Sequence, residues 1–197
     1  KMGIASPLFD IIKLNDISKD VIAGFTAQQV YDLALTWAQA HDPRLANILK
    51  ADPAYSLAVF NVERTGASPR KDIINWSDVE RAVGFFFDPL FDASITAHGY
   101  PFPEMESAVI TAVIEKTGTF NPAIVKEEWL ADMRTFAEAN GFARDAKTFK
   151  KDPAAYRGHF GDMMVIVRAA LTGRTNTPDL YEIMKTMGVT RIQARAA

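Results

Sequence analysis

The residue types able to do chemistry here are carboxylates, three histidines and a set of arginines and lysines; cysteine is absent. Without cysteine there is no thiol nucleophile, no thiolate metal site and no disulfide framework. His41, His98 and His159 stand far apart in sequence, so no zinc-binding helix and no metal are expected. Glu127, Glu128 and Asp132 form an acidic group, but carboxylates early in a helix ordinarily complement its dipole. No phosphate-binding loop, nucleophile elbow or dinucleotide fingerprint occurs. Catalysis is therefore not expected. Residues 1–141 hold 12 Lys+Arg against 19 Asp+Glu, a balance of −7, whereas residues 142–197 hold 10 against 5, a balance of +5; together they make the −2 of the chain. A basic segment on an acidic body can attract a polyanion, because the field at the contact surface decides. Solvated helix faces also differ in charge by this much with no ligand at all.

The elements that would position these residues are helical from end to end. Thr26 and Gln29 form a capping box, followed by Val30, Leu33, Ala34, Trp37 and Ala38 on one apolar stripe. Ser77 and Glu80 suggest a second box before Val83, Phe86 and Phe87. Asn121-Pro122 and Thr177-Pro178 place proline at a first helical position, and Pro103 suits the same place. Gly118, Gly141, Gly173 and Gly188 fall where helices should end in a left-handed residue. The spacing predicts helices near 17–23, 27–41, 43–50, 54–64, 69–75, 78–87, 104–117, 122–140, 162–172, 178–187 and 190–196. Asp88 to Pro103, with three prolines and a glycine, reads as irregular, and Gly141 to Gly161 as a second loop. Phe85, Phe86 and Phe87 cannot share a helix face, since three consecutive residues turn through about 300°; core packing is their expected role, as it is for Trp37, Trp76 and Trp129. The fold class is all-α. No apolar run approaches the roughly 18–20 residues that cross a bilayer, and no secretory leader opens the sequence; a cytoplasmic protein with no membrane partner is expected.

Two segments resemble a known family. Ser68 to Asp88, SPRKDIINWSDVERAVGFFFD, and Phe160 to Gly188, FGDMMVIVRAALTGRTNTPDLYEIMKTMG, are similar to the closing half of glutamyl-tRNA synthetases. Phe9 to Ile22, FDIIKLNDISKDVI, resembles the helical linker after that family's catalytic core. The resemblance implies two helical subdomains that grip the anticodon loop of glutamate tRNA, a helical bundle at 26–92 and a C-terminal helical cage at 93–197, with 1–25 as the tail of a stem-contact region. It also implies a parent enzyme that uses ATP and Mg²⁺ in a catalytic domain preceding this chain; for the chain itself no cofactor, no catalysis and a monomer are expected.

The same resemblance assigns site residues. Arg70 matches an arginine that reads the third anticodon base, and Arg168 a second anticodon contact. Phe160 and Gly161 match positions where a side chain can stack on a base, and Thr177, Pro178 and Leu180 match a turn that meets the anticodon. Lys147, Lys150, Lys151 and Arg174 are candidate phosphate contacts through charge alone. The residues also admit plainer roles: Arg70 pairing with Asp72 or solvent, Arg168 covering an apolar face with its stem, Phe160 plugging the core, and Thr177-Pro178 merely capping. Two other functions stay open on the sequence, the anticodon cage of a class I lysyl-tRNA synthetase and a helical protein-interaction module with no RNA ligand.

Overall fold

In a computed structural model that describes residues 10–197, the chain divides into two compact units, one up to Gly84 and one from Phe85 to Ala197. The expected all-α class holds: there is no β-strand among the described residues, only one bridge pairing Ala143 with His159. No described helix is long and apolar enough to cross a membrane.

The first unit contains α1 (Ile11–Ala23), α2 (Ala27–His41), α3 (Pro43–Ala51), α4 (Pro53–Asn61) and, after a short 3-10 turn, α5 (Val79–Val83). Both hydrogen bonds of the Thr26–Gln29 box form, and α2 packs on α3 and α4. Val30, Ala34 and Ala38 bury the expected stripe, while Leu33 stays 40% exposed and Tyr31 is buried instead. Asp42-Pro43 and Asp52-Pro53 use one device twice: the carboxylate accepts the third backbone N–H, from Leu45 or Tyr55, and proline fills the first helical position. The helix expected at 69–75 does not form. Six or seven residues are too few to nucleate a helix without help, and tertiary bonds hold the segment open: Arg70 N–H donates to Glu63 O at 3.1 Å, and Ile73 is buried. The second capping box falls two residues early, on Asn75 and Asp78.

The second unit contains α6 (Asp88–His98), α7 (Ser107–Gly118), α8 (Lys126–Ala139), α9 (Ala146–Lys151), α10 (Phe160–Thr172) and α11 (Leu180–Arg195). The stretch read as irregular from Asp88 thus starts with three turns of helix. Pro89 lies in the first turn, where it is tolerated, and only Pro101 and Pro103 lie beyond the left-handed Gly99. Similarly, the loop after Gly141 contains α9, capped by Asp145 through Thr148 N–H. Asn121-Pro122 opens a turn instead of α8, and Pro103 likewise precedes its helix by several residues. Gly118 is the last residue of α7 rather than a left-handed cap; a Cβ there would come within 3.2 Å of Ala196, so packing explains it. Gly173 (φ 65°) ends α10 as expected, and Gly188 (φ 76°) kinks α11 between the two helices anticipated there. α10 is the central helix of the unit, packed against α7, α8 and α11. Phe85, Phe86 and Phe87 are all buried, as the rotation argument required.

Arg195 ties the unit together. Its side chain is 4% exposed; Nη1 donates to the carbonyls of Phe85 and Leu171, Nη2 to Asp88, and the guanidinium lies 3.9 Å from the centre of the Phe91 ring. Arg191 adds a second hold on Asp88 through Nε, 2.9 Å from each carboxylate oxygen. Burial pushes the Asp88 carboxyl up, but hydrogen bonds from Arg195 and Arg191 and their charges outweigh it and hold it below its ordinary value. A carboxylate depressed in this way stabilises the fold above its unfolded pKa of about 3.9, and the contribution is lost as pH falls through the folded value. Asp88→Asn is expected to lower stability at pH 7 by about 1–2 kcal/mol, a modest figure because the carboxylate is half exposed. Urea denaturation at pH 7 and pH 3 checks this: the gap between wild type and variant should shrink at the lower pH.

Candidate nucleic-acid interface

In the first unit the expected reader, Arg70, lies on the non-helical segment 62–75. Its side chain is only 5% exposed. Nε donates to both oxygens of Asp72, at 2.9 and 3.0 Å; Nη2 bonds Asp72 and reaches the Ala82 carbonyl at 3.4 Å. Nη1 is buried with no hydrogen-bond partner among the described residues. Glu63, whose carbonyl fixes the Arg70 backbone, has φ 52°, the one non-glycine residue with positive φ among those described. Beside it Arg64 is buried, donating to the carbonyls of Phe60, Ile22 and Phe25. Burial, and then the charge of Arg70, lowers the pKa of Arg64, with Asp72 opposing.

In the second unit the expected residues gather around α10. His159 caps the helix: its Nδ1 accepts Asp162 N–H at 3.2 Å, and Asp162 accepts His159 N–H at 2.8 Å. This box sets Phe160 and Gly161 in the first turn. A Cβ at Gly161 would stand 2.7 Å from the His159 ring, so any other residue there would displace the capping imidazole. Phe160 is half-buried, and the Arg134 guanidinium lies 4.4 Å from its ring centre, so a stacking base would compete with Arg134 for that face. Arg168, two turns further on, donates from Nε to Thr177 Oγ1 at 2.9 Å. Burial lowers its pKa, with Asp179 opposing. The α10–α11 turn and Arg168 are thus one structure held by a side-chain bond.

Other expected residues differ in how they are presented. Thr177 does not cap α11; Asp179 does, accepting Glu182 N–H at 3.1 Å and an ion pair from Lys126. Leu180 is 4% exposed, so its side chain belongs to the core and only its backbone lies on the turn. Tyr181 locks the start of α11 by donating to Ile124 O at 2.6 Å and packing with Phe120 and Trp129. Lys147, Lys150 and Lys151 are exposed on α9, as phosphate contacts need to be. Arg174 is half-buried over the Phe85 ring, 4.8 Å from its centre. Sequence reasoning missed Arg64, Arg134 and the capping role of His159. The Asp72 pairing was legible as a plainer role for Arg70, whereas His159 gave no cue because histidine is an uncommon cap. No group of three metal-ligating side chains occurs among the described residues.

A family described as an anticodon binding domain matches residues 29–197. Among curated proteins, the chain is similar to the glutamate–tRNA ligase of Clostridium perfringens, with 41% identity across 99% of this chain and 36% of that protein. Its likeness to the glutamate–tRNA ligase of Sorangium cellulosum is 34% across 100% of this chain and 34% of that protein. For that of Acetivibrio thermocellus it is 32%, across 99% and 35%. The chain spans about a third of the length of these relatives. No solved structure gives a significant match. The resemblance to the anticodon-binding region of glutamyl-tRNA synthetases is borne out.

Burial gives Leu180 a measurable role. Leu180→Ala should lower stability by about 2–4 kcal/mol, the cost of a cavity in a packed core, measured as a shift in the urea midpoint. A change under 0.5 kcal/mol, the range of an ordinary surface substitution, would return the side chain to the surface.

Proposed function

The chain belongs to the anticodon-binding domain family, and from that membership we propose that it holds the anticodon loop of glutamate tRNA as the recognition part of a longer glutamate–tRNA ligase. In this reading, amino-acid activation with ATP and Mg²⁺ belongs to the ligase's catalytic domain, and these 197 residues bind RNA as a cytoplasmic monomer without catalysing.

One observation supports it above the others: each unit holds an arginine drawn out of water and fastened through Nε, Arg70 by Asp72 and Arg168 by Thr177. A guanidinium offers five N–H donors and accepts nothing, so one fastened through Nε can keep an Nη for a ligand, as Arg70 keeps Nη1. Anticodon bases are unpaired, and their edges and faces are open to such donors. The exposed lysines of α9, Lys147, Lys150 and Lys151, suit the phosphates, which contribute affinity without sequence information. The α10–α11 turn with Thr177 and Pro178, and the first turn of α10 with Phe160 and Gly161, supply further contacts; Arg174 adds charge at the end of α10.

Titration with anticodon hairpins of glutamate, glutamine and lysine tRNAs, at low and moderate salt, tests the proposal. The glutamate hairpin should bind tightest, and all three should weaken with salt. Equal binding to all three, or none, would contradict it. Arg70→Gln should narrow the gap between glutamate and glutamine hairpins by about 1–3 kcal/mol, the worth of one base-edge contact.

A further inference from the structure

Three contacts tie α1 to the non-helical segment 62–75. Ser18 Oγ donates to Ile74 O, Asp20 pairs with Lys71 at 2.9 Å, and Arg64 Nη1 donates to Ile22 O at 2.9 Å. The segment therefore rests on this helix near both of its ends. A second row of side chains on α1 is left in solvent. Leu14, Ile17 and Val21 stand at i, i+3 and i+7, with Ile11 one turn earlier, and all four are 45–54% exposed. That spacing is the apolar stripe a helix ordinarily turns toward a core. Only Ile22 and Ala23, at the C-terminal end of α1, are buried. A helix of 13 residues is marginal in water by itself, so its first turns gain stability when the row is covered.

The size and charge of the row narrow its occupant. With Ile12 it comprises five exposed apolar side chains, well short of the roughly 20–30 residues a side that join two free molecules. A covalently attached neighbour needs less, because attachment presents it at an effective concentration of about millimolar. Lys13 and Lys19 are balanced by Asp16 and Asp20, so α1 has no net charge to draw it to anionic lipid or to RNA. The anticodon-binding match begins at residue 29, beyond α1, whereas the Sorangium cellulosum ligase matches 100% of the chain, α1 included, and leaves about two thirds of its own length unmatched. We propose that the apolar row of α1 seats the part of the ligase that precedes this chain, and that this seating steadies segment 62–75 through Ser18 and Asp20. It rests on the chain being part of a longer glutamate–tRNA ligase. What α1 loses in motion on being covered, the segment bonded to it loses as well.

Hydrogen exchange, followed in this chain alone and in the longer ligase that contains it, tests the seating. In the ligase the amides of α1 and of segment 62–75 should exchange about tenfold or more slowly than in the chain alone. Ile17→Lys combined with Val21→Lys should return both to the rates of the chain alone, and should leave the chain alone unchanged. Ser18→Ala in the ligase should keep α1 protected while segment 62–75 speeds up. Equal exchange of α1 in the two forms overturns the proposal, as does protection that the paired lysines leave intact. Protection of α1 with no change in segment 62–75 overturns the coupling. A dimer of the chain alone that the paired lysines dissociate, or capture of the wild-type chain by neutral lipid vesicles that spare the variant, gives the row to another occupant and also overturns it. Leu14→Lys replaces Val21→Lys if thermal unfolding shows the first pair misfolded. Anticodon-hairpin binding by the chain alone separates the two levels. If the hairpin binds while α1 exchanges equally, only the seating falls; if no hairpin binds, the ligase reading falls and the seating with it.

Discussion

A guanidinium drawn out of water needs acceptors that the fold must supply, and the proposed recognition residues of this chain are organised around that requirement. Arg70 is almost wholly and Arg168 partly withdrawn from water. Each is fixed by a partner that the fold itself positions: Asp72 on the same segment, and Thr177 on the turn that follows α10. Fixing an arginine this way spends some of its hydrogen-bonding capacity and removes most of its conformational freedom. What remains is a short, oriented set of donors, and orientation is what a base edge requires. A mobile surface lysine, such as Lys150, can answer a phosphate but carries no such directional information.

The same economy recurs where no ligand is involved. Arg195 is as buried as Arg70, yet its partners are the carbonyls of Phe85 and Leu171, the Asp88 carboxylate and the Phe91 ring. It fastens the start of α6 and the ends of α10 and α11 into one frame. Arg64 does likewise in the first unit, gathering the carbonyls at the ends of α1 and α4. Both structural arginines gather backbone carbonyls, Arg195 with a carboxylate in addition, whereas the proposed readers are held chiefly by a side chain on an irregular segment, Asp72 for Arg70 and Thr177 for Arg168.

Local cues were legible wherever one short motif decides the outcome. The Thr26–Gln29 box, the left-handed Gly173 and the kink at Gly188 follow from capping and φ preferences alone. So does the burial of Phe85, Phe86 and Phe87, because a helix offers no single face to three neighbours. The errors lie where tertiary bonds outweigh local preference. Segment 69–75 carries a proline start and apolar residues, yet Glu63 and the burial of Ile73 hold it extended. Three prolines make Asp88 to Pro103 read as irregular, yet Pro89 sits in the first turn of α6, where proline is tolerated. Of the site, the resemblance supplied Arg70 and Arg168, but the way each is held comes only from contacts across the chain. Leu180 shows the limit of a carried-over residue, since it lies on the expected turn with its side chain turned into the core.

The most direct measurement compares two hairpins of equal length and charge: the glutamate anticodon hairpin, and one in which the three anticodon nucleotides are abasic. Phosphate contacts are common to both, so their salt slopes should coincide. If held arginines address base edges, the abasic hairpin should bind at least tenfold more weakly at every salt concentration. Equal affinity for the two would mean that the chain senses only backbone charge, and that Arg70 and Arg168 are held in place for the sake of the fold alone.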